Sequence, residues 1–318
     1  MKSGGEDTTM TSGTGKYERL LERCRGIAPV PTAVAYPCDE SSLSGAIDAA
    51  RLGLIVPILV GPAATIHEIA KSKGIDLGGV QIVEAATAKA SAAKAVEMVR
   101  MGQAELVMKG SLHSDEVLGA VIAKETGLRT GRRLSHAFLM DVPTYHKVLI
   151  VTDAAINIAP TLEDKVDICQ NAIDLARTFG VDRPKVAILA AVETVNSKMP
   201  ATLDAAALCK MADRGQIKGG ILDGPLAFDN AISRDAAKTK GITSDVAGDP
   251  DILLAPDLEA GNMMAKMLSF LANSDSAGLV LGAKVPVILT SRADSVRARI
   301  ASCAVAVMAA HSRRQPPR

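Results

Sequence analysis

The sequence predicts an α/β protein with mostly parallel sheets, and three observations carry that expectation. Short apolar runs such as "VPILVG" and "KVAILAAV" read as buried strands. Between them lie longer stretches with apolar residues every three to four positions, the mark of helices; strand and helix taking turns means βα units. Only 2% of residues are aromatic and Trp is absent, so Ala, Val, Ile, Leu and Met must fill the core, as suits helices packed on a parallel sheet.

Residues 1 to 16, rich in Gly, Ser and Thr and without periodicity, are expected to be a disordered tail. A helix near "YERLLERCRG" precedes a strand, "TAVAYPC". "DESSLSGAIDAARLG" has polar starting residues, helical apolar spacing and a closing glycine. After the strand "VPILVG" come strand "GVQIVEA", helix "ATAKASAAKAVEMVRMG", strand "AELVMKG", helix "SDEVLGAVIAKETG", and strands around "SHAFLMDV" and "KVLIVTDA". The second half repeats this grammar: helix "TLEDKVDICQNAIDLARTFG", strand "KVAILAAV", helix "ATLDAAALCKMADRG", strand "GGILDG", a helix near "FDNAISRDAAKTKG", strand "DILLAP" and helix "LEAGNMMAKMLSFLA". Strands "AGLVLG" and "VPVILT" and a last helix after "SRADS" complete the chain. So many strands exceed one comfortable open sheet, which favours two α/β domains facing a cleft.

Composition removes several classes. The 318 residues, 48% of them hydrophobic, allow a large core, while 36 Lys+Arg against 35 Asp+Glu and no basic block leave no footprint for nucleic acid. No apolar run reaches the ~18–20 residues a membrane span needs, and the N-terminal stretch lacks the apolar centre of a secretory signal, so the expectation is a cytoplasmic protein. Five cysteines without CxxC spacing support neither disulfides nor zinc. Neither GxxxxGK[ST], GxGxxG between strand and helix, nor GxSxG occurs.

Ligands of parallel sheets bind beyond the carboxyl ends of strands, and polar residues collect there. Lys109, Ser111, His113 and Ser114 lie between a strand and a helix; they suit a phosphate, or make a turn with Ser114 as N-cap. Arg132 and Arg133 precede a strand carrying Ser135 and His136; the arginines either grip phosphate or are solvated, and His136 is either a base or a buried hydrogen-bonding residue. Asp153 and Asn157, then Asp223, Asp229 and Asn230, then Asp257, Glu259 and Asn262 follow strands; they cap helices and form turns, or hold a divalent metal. "VPVILTSRADS" ends a strand on Ser291, Arg292 and Asp294.

Taken in order, "MKGSLHSDEVL", "RRLSHAFLMDVP", "TDAAINIAPTLEDKVDI", "DGPLAFDNAIS", "VAGDPDILLAPDLEAGNMMAK" and "VPVILTSRADS" resemble the phosphate acetyltransferase and phosphate butyryltransferase family. The resemblance implies acyl-CoA + phosphate ⇌ acyl phosphate + CoA, with coenzyme A and inorganic phosphate as substrates, no cofactor, no metal and no covalent acyl-enzyme. It implies two α/β domains related to isocitrate and isopropylmalate dehydrogenases, usually in a homodimer. The C-terminal segment then returns to the first domain, giving 17–147 with 277–318 as domain I and 148–276 as domain II. By resemblance, Arg292 holds the phosphoryl group and polarises the acyl carbonyl, and Ser291 hydrogen-bonds the thiol or the carbonyl oxygen. Lys109, Ser111, His113, Arg133, Ser135, His136, Asp223 and Asn262 are expected to bind phosphate or CoA. The carboxylate base of acetyl-type members falls on Ala298, which cannot serve; Asp294 either takes the proton or caps the last helix. Two other readings compete: a metal-dependent decarboxylating dehydrogenase on the same fold, and a non-catalytic acyl-CoA sensor.

Overall fold

The structure, a computed structural model, describes residues 15–290 and 294–315. The first half runs α1 (Lys16–Cys24), β1 (Val30–Ala35), α2 (Glu40–Arg51), β2 (Ile55–Gly61), α3 (Ala63–Lys73), β3 (Gln81–Glu84), α4 (Ala88–Arg100), β4 (Leu106–Lys109), α5 (Ser114–Ile122) and β5 (Ser135–Asp141). There follow β6 (Leu149–Thr152), α6 (Leu162–Thr178), β7 (Lys185–Leu189), α7 (Pro200–Asp213), β8 (Ile221–Leu226), α8 (Phe228–Ile232), α9 (Arg234–Thr239), β9 (Ile252–Leu254), α10 (Leu258–Leu271), β10 (Asp275–Leu281), β11 (Val287–Ile288) and α11 (Val296–Arg314).

Local chemistry explains most boundaries. Asp39 caps α2 by accepting from the Ser42 amide at 2.7 Å, and Thr161 caps α6 while Asp164 accepts the Thr161 amide in return. Ser114 is not the cap of α5: His113 holds that position, and the Glu116 carboxylate accepts the His113 amide at 2.9 Å. The single helix expected over "FDNAISRDAAKTKG" is two short ones, because Ser233 is extended and its hydroxyl caps α9. Sequence reading passed over α3, whose cap position is Pro62, a residue without a side-chain acceptor. The expected tail ended at residue 16; residues 1–14 lie outside the described residues, and Lys16 opens α1, buried and paired with Asp141 at 2.9 Å.

All eleven strands join one sheet in the order β3-β2-β1-β4-β11-β10-β5-β6-β9-β7-β8. The α/β class is the one expected, and most pairings are parallel, but the strands do not stop at a break between halves as their number suggested. The halves are stitched by three consecutive antiparallel pairings, β11 to β10, β10 to β5 and β5 to β6. Strands β1, β2, β3, β4 and β11 therefore run one way, and β6, β9, β7 and β8 the other.

The two faces of the sheet are filled differently. On one face a single apolar cluster runs across both halves, from Leu106 and Met108 to Leu139 and Ile150, under α2, α6 and α11. Helix α11 is buried without a break from Ala298 to Ala310, and each large apolar side chain hidden this way contributes roughly 1.5–3 kcal/mol. The other face carries two separate clusters: Val107, Val117, Val280 and Val287 under α4 and α5, and Met140, Val151 and Leu253 under α10. Gly278 sits on β10 between these two, where a Cβ would lie 3.0 Å from the Leu289 carbonyl oxygen and 3.1 Å from Nε2 of His136.

Gly278→Val is therefore expected to lower stability by about 1–3 kcal/mol through overpacking. Urea unfolding of the two proteins measures it, and an unchanged midpoint would show that the junction has room to spare.

Candidate active site

The ends of β1, β4 and β11 form one polar group. Lys109 closes β4 on the same face as Val107, only 5% exposed, with Nζ donating to the Thr290 carbonyl at 3.3 Å and the Gly110 carbonyl at 3.4 Å. A buried ammonium is costly without such acceptors, so these carbonyls fix where the charge stands. Gly110 must lack a side chain, since a Cβ would lie 2.4 Å from the carbonyl oxygens of Ala35 and Tyr36. Ser111 stitches the same loops, its hydroxyl donating to Tyr36 O at 3.0 Å and accepting from the Cys38 amide at 3.2 Å. His113 stands exposed at the start of α5.

A second buried cation flanks Thr290. Arg299, 3% exposed in α11, donates to Thr290 Oγ1 at 3.1 Å and to Ser41 Oγ at 3.3 Å, and its stem fills the space that Gly45 leaves open. Burial would raise the Asp39 carboxyl, yet hydrogen bonds from Ser42 and Ser41 and the Arg299 charge bring it below its ordinary range. Sequence reading missed Arg299; the signal was a charge at the head of the apolar run "RIASCAVAV". Ser291 and Arg292, which follow Thr290 directly, lie outside the described residues. Asp294 does not cap α11: that position is Ser295, whose hydroxyl accepts the Ala298 amide at 3.1 Å.

A separate polar group gathers where β5 begins and β6 ends. Asp153, 3% exposed, accepts the amides of Ala155, Ile156 and Asn157 and the Asn157 side-chain amide. Asn157 also donates to Leu134 O and accepts from Arg133 Nε at 2.8 Å; Arg133 lies 3.5 Å from Asp164 and remains exposed. Helix α10 closes on this turn. Gly261 lets its backbone meet the Asp153 carbonyl, and Asn262 donates to Ala154 O at 2.9 Å. His136 is 1% exposed, edge-on to Phe138, and among the described residues its Nδ1 has no hydrogen-bond partner. Burial pushes its pKa down to about 4, against the Asp153 charge and a hydrogen bond to the Leu289 backbone.

The structure thus brings Lys109 and Ser111 together at one strand end, and Arg133, His136 and Asn262 around the Asp153 turn. Among the described residues, the Leu289 backbone beside Gly278 lies between the two groups. Ser135 points to the opposite face, where its hydroxyl accepts from Asn171 at 3.0 Å and is fully buried. Asp223 is not with them: it accepts its neighbour Gly224's amide on edge strand β8, four strands or roughly 19 Å across from β5. The other strand-end acids are spread apart, Asp229 on Lys240 and Asp257 as the cap of α10, and the described residues hold no cluster of three metal-ligating groups.

The fold defines a class, the isocitrate dehydrogenase-like α/β fold of the phosphotransacylases, here with buried cations beside a strand terminus. Residues 87–307 match the family described as Phosphate acetyl/butaryl transferase. The chain is 61% identical over 299 residues to the phosphate acetyltransferase of Rhizobium meliloti, covering 94% of this chain and 95% of that one. It is 44% identical over 294 residues to the phosphate butyryltransferase of Clostridium beijerinckii, covering 92% and 97%. A branched-chain phosphotransacylase from Enterococcus faecalis V583 has the same fold, with a TM-score of 0.77 at 28% identity over 89% of this chain and 99% of that one. The chain belongs to the phosphate acetyl/butyryltransferase family, whose members are acyltransferases.

The buried imidazole makes stability depend on pH. His136 titrates near 6.5 when unfolded and near 4 when folded, so between these values the unfolded chain binds more protons. Stability attributable to this group is complete above pH 6.5 and is lost as pH falls toward 4, by about 3 kcal/mol in all. His136→Gln should flatten the decline of urea stability between pH 7 and pH 4.5; equal slopes in both proteins would refute it.

Proposed function

We propose that this chain transfers a short acyl group reversibly between coenzyme A and inorganic phosphate, by direct attack in a ternary complex that needs no metal or cofactor. The observation that carries it is the near full-length likeness to both phosphate acetyltransferases and phosphate butyryltransferases. In one direction the CoA thiolate attacks the acyl phosphate carbonyl carbon, a tetrahedral oxyanion forms, and the carbon–oxygen bond to phosphate breaks; in the other, phosphate attacks the thioester. Fixed positive charge lowers the barrier in either direction, each preorganised donor being worth roughly 3–4 kcal/mol. Arg292 is assigned to the phosphoryl oxygens and the carbonyl, and Ser291 to the thiol or the carbonyl oxygen.

The described geometry supports these assignments from their neighbours. Thr290, the residue before the pair, is held through its carbonyl by Lys109 and through its hydroxyl by Arg299. Both cations add to the positive field at that strand end. With Ser295 serving as the helix cap, Asp294 is the carboxylate this reading uses as proton acceptor. The acids that a metal-dependent dehydrogenase would need are instead engaged in turns, caps and ion pairs.

The same reading divides the chain into 17–147 with 277–318, and 148–276, with the cleft between the two apolar clusters on either side of Gly278. It places the enzyme in the cytoplasm as a homodimer. In favour of the dimer, Met263, Met267, Phe270 and Leu271 form one stripe on α10 and are 59%, 59%, 78% and 80% exposed. Residues at these spacings share a helix face, and so much exposed apolar surface suits burial against a second copy.

Acyl-CoAs from C2 to C5, assayed with phosphate or arsenate, should give turnover for at least one chain length. Arg292→Gln should then lower kcat by about 10²–10³ with the fold intact by circular dichroism. CoA binding without turnover would favour an acyl-CoA sensor, and no response across the panel would sink both readings. By sedimentation the chain should be a dimer that Phe270→Glu with Leu271→Glu converts to monomer; a wild-type monomer would end the dimer proposal.

A further inference from the structure

A cavity of about 350 Å³ lies on the face of the sheet away from His136, between α1, α6 and α11. It exists because Ala176, Ala277 and Ala301 are too small to fill the space above the strands. Leu139, Ile150 and Val305 complete an apolar floor, and Phe179 stands at one wall. This volume is near the lower end for small-molecule sites, so an occupant must be small.

The mouth is charged, and its charges do not cancel. Asp141 is paired with Lys16 at 2.9 Å, Asp251 with Lys147 at 2.8 Å and Asp275 with Arg297 at 2.6 Å. Arg19 and Arg23, four residues apart on one side of α1, also line the cavity, and among the described residues neither forms an ion pair. The Arg23 guanidinium lies 6.0 Å from the centre of the Phe179 ring, at the edge of the apolar wall. Every acid at the rim is thus committed, and two guanidinium groups remain.

We infer that this cavity is a binding site for a small amphipathic anion, one whose short apolar body fills the floor and whose carboxylate or phosphate head is held by Arg19 and Arg23. The apolar part supplies burial and the head supplies charge-assisted hydrogen bonds, so neither half alone binds as well as the whole. The site is separate from the strand-end groups described above: Lys109 and His136 lie across the sheet from it, and Arg299, although on the cavity's own face, does not line it. It nevertheless shares α11 with them: Ala301 and Val305 line the cavity, while Arg299 on the same helix holds Thr290.

The test is calorimetric titration of the full chain with hexanoate and with butyl phosphate, in the presence of saturating CoA to occupy the proposed catalytic cleft. Butan-1-ol and inorganic phosphate, each carrying one half of the chemistry, are the controls. At least one alkyl anion should bind tenfold or more tightly than butan-1-ol, and which of the two does so identifies the head group. Arg19→Gln with Arg23→Gln should weaken that binding at least tenfold, and Ala301→Leu, which fills the cavity, should abolish it, with melting curves confirming that both variants fold. The inference is overturned if neither anion binds, if butan-1-ol binds equally, if both variants bind as the parent does, or if binding vanishes whenever CoA is present. Binding that appears only after removal of residues 1–14 would assign the cavity to that segment and would likewise overturn it.

Discussion

The molecule depends on the reversal of strand direction at its centre. Two half-sheets of opposite polarity can join only through an odd number of antiparallel pairings; here there are three, and the central one, β10 with β5, runs through seven paired positions from Asp275 opposite Asp141 to Leu281 opposite Ser135. The side chains along this seam decide what each face becomes. Where Leu279 and Ala277 point, the core is continuous under α11; where Gly278 points there is no side chain, and two clusters stand apart. One face of the seam thus binds the halves together and the other leaves a division between them.

The polar chemistry follows from that arrangement. Because β4 and β11 run together, their ends bring Lys109 to the carbonyl of Thr290, and because α11 packs back over the same strands, Arg299 reaches the Thr290 hydroxyl from the other face. Both cations are nearly buried, Lys109 donating to backbone carbonyls and Arg299 to the Thr290 and Ser41 hydroxyls, so their charge stands at the strand end rather than in open water. The Asp153 turn does the reverse with a carboxylate, surrounding it with four donors so that its charge is spent locally. Proximity to this carboxylate does not overcome the burial of His136, which stays neutral.

Nearly every element was legible because periodicity and capping are local. Thr87, Thr161 and Asp257 begin helices where their side chains say they should. The exceptions have local causes too: Pro62 hides the start of α3, and an extended Ser233 splits a helix in two. Strand direction was not legible, since β5, β6 and β10 are as apolar as their parallel neighbours and burial alone dictates that pattern. Within the candidate site, Lys109 and Ser111 could be placed together because they sit where a strand stops. Ser135 and Asp223 carry similar signals but face elsewhere, one into α6 and one on an edge strand, and no pattern in a single sequence tells those apart. Arg299 escaped because its partners are 9 and 258 residues away.

The place of β10 and β11 in the sheet has a consequence for how the chain comes into being. They are synthesised after every other strand of this sheet, yet they lie between β4 and β5, which emerge well before them. Until residues 275–288 arrive, β4 and β5 each present an unpaired apolar edge, the kind of surface that recruits other strands and aggregates. Helix α11, which seals the shared core, is later still. The sheet is thus closed by β10, β11 and α11, and a ribosome that stalls after α10 leaves β4 and β5 without the strands that pair them among the described residues.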